Sequence, residues 1–175
     1  MSVQVFSVRG HSGSGKTRLV EQLLPHLVAA GVRVGTVKHA SHTPTLDVKG
    51  KDSHRHAQAG AARVLLLGPE TAALFIHDGA APELAPWLPL FADQVELVVV
   101  EGFKRTLLPS VTIEINHAFE LIAVDQAPGT PTWTLRRPRD IPSPFGFPEE
   151  LVGELAAGVL GALGPGANAD GQSTA

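Results

Sequence analysis

The sequence predicts an α/β layered domain built on a mostly parallel sheet, and three observations carry that expectation. Residues 6–17, "FSVRGHSGSGKT", run from an apolar segment into a glycine-rich turn and then into Lys16 and Thr17. Behind the turn, Leu19, Val20, Leu23, Leu24, Leu27 and Val28 recur at helical spacing. Farther along, the short and non-alternating apolar run at 95–100 suits a strand buried on both faces of a parallel sheet.

Taken in order, Val3, Val5, Phe6 and Val8 predict a first strand over 3–8, followed by the glycine loop. A helix is expected from Thr17 to about Ala30, bent at Pro25 and stopped at Gly31, which suits a left-handed cap. A strand at 32–38, a polar loop, a short helix near 53–60 and strands at 62–67 and 71–77 follow. "APELAPWLPLFAD" predicts a proline-interrupted helix ahead of the buried strand. After that the alternation ends: "SVTIEI", "ELIAV" and "TWTL" are three strands with little helix between them, and Glu149 to Leu163 returns to an amphipathic helix. The small, polar residues 164–175 are expected to be disordered. No internal repeat is present.

The loop is the most specific signal. Gly10, four residues, Gly15, Lys16 and Thr17 satisfy G-x-x-x-x-G-K-[ST], the pattern of a P-loop NTPase-like fold. Backbone N–H groups of Gly10, His11, Ser12, Gly13, Ser14 and Gly15 are placed to turn inward on phosphate oxygens, because glycine permits the required angles. Lys16 adds a mobile positive charge for the terminal phosphates and Thr17 a hydroxyl for Mg²⁺. The following helix directs its positive end at the same anion.

Length and composition narrow the classes. A chain of 175 residues predicts one nucleotide-binding domain over 1–163 with the tail beyond it. A net charge of -3 with scattered cations gives no basic face for nucleic acid. No tract reaches the length of a membrane span, and entry straight into the first strand predicts no signal peptide. The absence of cysteine fits a cytoplasmic location.

A phosphate loop needs an acid for its metal, and "VELVVVEG" puts Glu101 where the buried strand ends and Gly102 lets the chain turn. The segment "VKHASHTPTLDVKGKDSHRHAQAGAAR" gathers Lys38, His39, His42, Asp47, Asp52, Ser53, His54 and His56. Its position after the second strand predicts phosphate and metal-water contact by Lys38 and His39, with Asp47 reaching the Mg²⁺ shell. Two other uses stay open: a transition-metal site on the histidines, and a simple helix cap at Asp52 and Ser53. No N-K-x-D motif is present, so the residues leave GTP and ATP unseparated. Arg136, Arg137 and Arg139 have two readings, cover for a base or phosphate and a solvated loop, of which the loop is preferred.

Three segments together, "GHSGSGKT", "VKHASHTPTLDVKGKDSHRHAQAGA" and "VEGFK", resemble the molybdopterin-guanine dinucleotide biosynthesis protein B family, over about residues 3–125. The resemblance implies a P-loop fold, GTP with Mg²⁺ as ligands, hydrolysis that is slow at most, and a homodimer joined through strands into an extended sheet. It also implies an adapter that assists a partner guanylyltransferase, and possible service to molybdenum apoenzymes, without itself transferring GMP to molybdopterin. "SVTIEI" and "ELIAV" are the strands expected to offer the dimer edge. "IAVDQAPGTP" lacks the Ser-Asp of the family's segment. The competing expectations are a small-molecule kinase using ATP and a GTP-dependent metal-delivery protein.

Overall fold

The structure, a computed structural model, describes residues 3–40, 47–77, 83–103, 107–125, 130–142 and 145–163. His42, Lys104 and the tail 164–175 lie outside the described residues. By compactness the chain divides into two units, residues 1–39 with 87–175, and residues 40–86.

The larger unit is a six-stranded sheet with helices. Its strands are β1 (Gln4–Gly10), β2 (Val34–Lys38), β5 (Leu97–Glu101), β6 (Ser110–Asn116), β7 (Glu120–Asp125) and β8 (Pro131–Pro138), in the order β2-β5-β1-β6-β8-β7. All neighbours are parallel except β7, which runs antiparallel to β8. Helices α1 (Lys16–Ala29) and α3 (Glu149–Leu163) pack on each other and on one face of the sheet. Phe6, Val8, Leu97, Val99, Val111, Ile113 and Leu135 meet Leu19, Leu23 and Leu27 of α1 and Val152, Leu155 and Val159 of α3 in one core. In β5, Val98 and Val100 are fully buried as well, which is why that strand shows no alternation.

Of the apolar stripe read along α1, Leu19, Val20, Leu23 and Leu27 are buried, Leu24 is partly buried and Val28 is exposed. The helix runs through Pro25 and closes at Ala30, whose N–H bonds the carbonyl of His26; Gly31 follows with φ 83°. "APELAPWLPLFAD" forms only a short 3₁₀ turn, Ala85–Leu90. Pro86 and Pro89 lack the N–H groups that a full helix there would need.

Among the late strands, "SVTIEI" is not an edge. It forms β6, which pairs with β1 on one side and β8 on the other, and only β7 and β2 stand at the ends of the sheet. A strand's alternation reports which faces are covered; it carries no information on which neighbours it pairs with. "TWTL" extends through the arginines to Pro138, so Arg136 and Arg137 belong to a strand rather than to a solvated loop. Arg136 lies in register between Glu114 and Glu120, donating to Glu120 Oε2 at 2.8 Å, with Glu114 Oε2 3.7 Å away.

The smaller unit holds α2 (Asp52–Gln58) and an antiparallel hairpin of β3 (Arg63–Leu67) and β4 (Ala72–Ile76). Its helix is capped by neither Asp52 nor Ser53: Lys51 occupies the cap position, without a side-chain bond. Leu65, Leu66, Leu67 and Leu74 of the hairpin are exposed.

Packing of α3 on the sheet hinges on Gly158, where an added β-carbon would lie 2.7 Å from Trp133 Cζ2. Helix propensity alone favours Gly158→Ala by about 1 kcal/mol, whereas overpacking a filled site costs about 1–3 kcal/mol. Urea unfolding should therefore show Gly158→Ala destabilised by about 1 kcal/mol. Gly161→Ala, with nothing within 4 Å of the new carbon, should gain about 0.5–1 kcal/mol. Equal effects at the two positions would mean that Trp133 does not press on α3.

Candidate nucleotide-binding site

The loop 10–17 leaves the carboxyl end of β1, a central strand, and opens directly into α1. Gly10 has φ 146°, and a β-carbon there would lie 2.5 Å from Ser14 Oγ and 3.1 Å from the carbonyl of Ile113. Gly15 has φ 94°, and its β-carbon would lie 2.7 Å from Arg137 Nη1. Both positions thus require glycine twice over, for the backbone angle and for space. His11, Ser12 and Gly13 are exposed at the tip, whereas Ser14 and Gly15 are buried beneath it. Lys16 reaches back across the loop, its Nζ donating to the carbonyls of His11 at 2.6 Å and Gly10 at 3.2 Å.

Sheet register brings the second group of residues to the same place. Glu101 stands opposite Val8 of β1 and Lys38 of β2. The Thr17 hydroxyl is 3.0 Å from both Glu101 oxygens, and Lys38 Nζ lies 3.2 Å from Thr17 Oγ1 and 3.3 Å from Glu101 Oε1. A hydroxyl and a carboxylate converging beside a phosphate-type loop are the hard oxygen donors that Mg²⁺ prefers. Glu101 is held by its own turn. Gly102 N–H bonds the carbonyl of Val8 at 3.0 Å, the Ser7 hydroxyl donates to the Gly102 carbonyl at 3.0 Å, and Phe103 sits at φ 52°. His39 N–H bonds the Glu101 carbonyl at 2.9 Å, and its ring packs 4.5 Å from that of Phe103.

Asp47 belongs to the smaller unit, where its Oδ1 accepts the Ser53 hydroxyl at 2.8 Å. Its Oδ2 is buried with no hydrogen-bond partner among the described residues. No group of three or more His, Cys, Asp or Glu side chains suited to a metal occurs among the described residues. His54 Nδ1 instead accepts the Gly50 N–H at 3.4 Å.

Sequence reasoning missed Arg137. Only 1% exposed, it donates through Nη1 to the Ser14 carbonyl at 3.2 Å and through Nη2 to the Ile141 carbonyl, and its guanidinium carbon lies 5.5 Å from the centre of the Phe147 ring. Burial draws its pKa below the usual arginine value, and the carbonyls and ring face return part of the lost hydration. Arg137 therefore props the phosphate loop from below. A period-two signal was available: Trp133, Leu135 and Arg137 share one face of β8, so an inward Leu135 implies an inward Arg137.

A central parallel strand feeding a glycine loop and a helix, with an acid on the adjoining strand, defines a P-loop NTPase-like protein. Residues 5–128 match the family described as Molybdopterin guanine dinucleotide synthesis protein B, and the chain belongs to that family. It is 36% identical over 113 residues to the molybdopterin-guanine dinucleotide biosynthesis adapter protein of Haemophilus influenzae, with 63% of each chain covered. Against the Escherichia coli protein of the same description it is 35% identical over 121 residues, covering 66% of this chain and 69% of that one. The match thus spans less than two thirds of the Haemophilus influenzae protein's length. The crystal structure of Bacillus subtilis MobB has the same fold, with a TM-score of 0.61 at 22% identity over 93% of this chain and 99% of that one. No described helix is long and apolar enough to cross a membrane.

Proposed function

We propose that this chain is a GTP- and Mg²⁺-binding adapter of molybdenum cofactor biosynthesis, which assists a partner guanylyltransferase in attaching GMP to molybdopterin. The convergence of Thr17 and Glu101 beside the loop of Lys16 is the observation that carries the reading. The relatives' description as adapter proteins supports the role. Loop N–H groups and Lys16 bind the phosphates, Thr17 and Glu101 hold Mg²⁺, and Lys38 and His39 border the terminal phosphate. Its place in the sequence after β2 makes Asp47 a further candidate for the metal's outer shell. Mg²⁺ held by these residues would supply neutralisation of phosphate charge. Turnover is slow at most, and the protein works in the cytoplasm as a homodimer joined through the later strands, of which β7 stands at the edge of the sheet. The alternatives lose ground to the relatives' descriptions, which name adapter proteins, neither a kinase nor a metal-delivery protein.

Reconstitution with molybdopterin, GTP, Mg²⁺ and a guanylyltransferase should yield more guanine dinucleotide with the protein than without it, and the protein alone should yield none. Product formed without the transferase would make it the enzyme, and transferase output unchanged by its addition would remove the adapter role. In titrations of GTP with and without Mg²⁺, Glu101→Ala and Asp47→Ala should each lose most of the metal's enhancement and keep metal-free affinity. An Asp47 variant that responds to Mg²⁺ like the parent would take Asp47 out of the site.

A further inference from the structure

Residues 140–142 and 145–148, past β8, line with Phe119 an open cavity of about 500 Å³. Ile141, Pro142, Phe145, Phe147 and Pro148 supply an apolar lining, and Asp140 is the lone charged side chain in it. The size falls within the usual range for small-molecule sites. All these residues but Phe119 lie past residue 128, where the family match ends.

Several contacts tie the cavity to the phosphate loop and the first turns of α1. Arg137 bonds the Ser14 carbonyl on one side and the Ile141 carbonyl on the other. The Phe147 ring would lie 3.4 Å from a β-carbon on Gly15. Gln22 of α1 clamps the Phe147 backbone with two bonds of 2.8 Å, its amide donating to the carbonyl and its oxygen accepting the N–H. A β-carbon on Gly146 would lie 2.5 Å from Gln22 Oε1 and 3.1 Å from Arg18 Nε, one residue beyond Thr17. The cavity also sits past the carboxyl end of a parallel strand, the side on which such sheets bind ligands.

We infer that this cavity is the base subsite of the nucleotide held by the phosphate loop, with Phe145 and Phe119 packing on the ring and Asp140 selecting guanine. This rests on the proposal that the loop binds a nucleoside triphosphate, and adds which base and by what groups. A carboxylate accepts two hydrogen bonds from neighbouring donors, and guanine offers N1–H beside its 2-amino group. Adenine presents an unprotonated N1 on that edge, which repels a carboxylate. A pterin carries the same 2-amino-4-oxo edge; continuity with the phosphate loop favours the base of the bound nucleotide.

Asp140 and Phe145 are exposed, so their variants are expected to fold, with thermal unfolding midpoints like the parent's. Calorimetry on the full chain with Mg²⁺ compares GTP, ATP and xanthosine triphosphate, whose 2-oxo group suits a carboxamide donor. Asp140→Asn should weaken GTP at least tenfold and bring xanthosine triphosphate level with it or ahead. Phe145→Ala should weaken every nucleotide severalfold without changing their order. If Lys16→Ala abolishes GTP binding but Asp140→Asn keeps the parent's preference, the base subsite is wrong and the nucleotide proposal stands. Pterin binding that depends on Asp140 and does not compete with GTP would also overturn the inference. A parent protein that binds no triphosphate would end both.

Discussion

Lys16→Ala is expected to weaken GTP binding at least tenfold while leaving the fold intact. The ammonium bridges two carbonyls of the loop, at 2.6 and 3.2 Å, so it already stands over the turn where phosphates are expected. A charge-assisted bond of this kind contributes roughly 1.5–3 kcal/mol, and about 1.4 kcal/mol is tenfold in affinity. Lys16 is only half-buried, so water replaces it at both carbonyls and the thermal midpoint should hardly move. Calorimetry with Mg·GTP and a parallel melt separate the two effects. Unchanged affinity in a folded variant would exclude the loop as the site.

Arg137→Leu should produce the largest loss of stability of any single change near the loop. The substitution strands the Ser14 and Ile141 carbonyls, both of which lose a charged donor. Two such losses sum to about 3–5 kcal/mol, and relief from burying a charge reduces the net to about 2–4 kcal/mol. Arg137→Lys should recover little, because one ammonium cannot reproduce a planar fork that reaches two carbonyls and lies near an aromatic ring. Denaturant midpoints measure the global effect, and hydrogen exchange at 10–17 should report faster opening of the loop. A leucine variant as stable as the parent would show that Arg137 does not support the loop.

How much could be read beforehand depended on how local the determining interactions are. The glycine loop, the stripe of α1 and the position of Glu101 are short-range patterns, and each is where its spacing placed it. Helix α3 spans 149–163, the bounds its period gives. Strand order is different in kind. β6 pairs with β1 through residues 103 positions apart, as in Ser7 with Ser110, and no local pattern encodes that choice. Arg137 was hidden for a third reason. A run of arginines reads as surface because charges are seldom buried, and one of the two carbonyls that make burial tolerable, that of Ser14, comes from a loop 123 residues away. The base cavity depends on the same long-range closure, so its aromatic residues read singly as unremarkable loop.

Lys38 gives the metal site a particular electrical starting point. Its ammonium lies against the hydroxyl of Thr17 and the carboxylate of Glu101, so the oxygens proposed to hold Mg²⁺ stand around a monovalent charge. On the proposed reading, binding of Mg²⁺ would be a cation exchange, with a divalent charge taking the place of one tethered ammonium. The lysine side chain is 62% exposed and the Glu101 side chain 14%, so solvent screens the pair from the lysine side only. Thr17 and Glu101, 3.0 Å apart, would need little rearrangement to hold the ion, and the Lys38 ammonium would stay tethered at the end of β2, beside the charge that a triphosphate would bring.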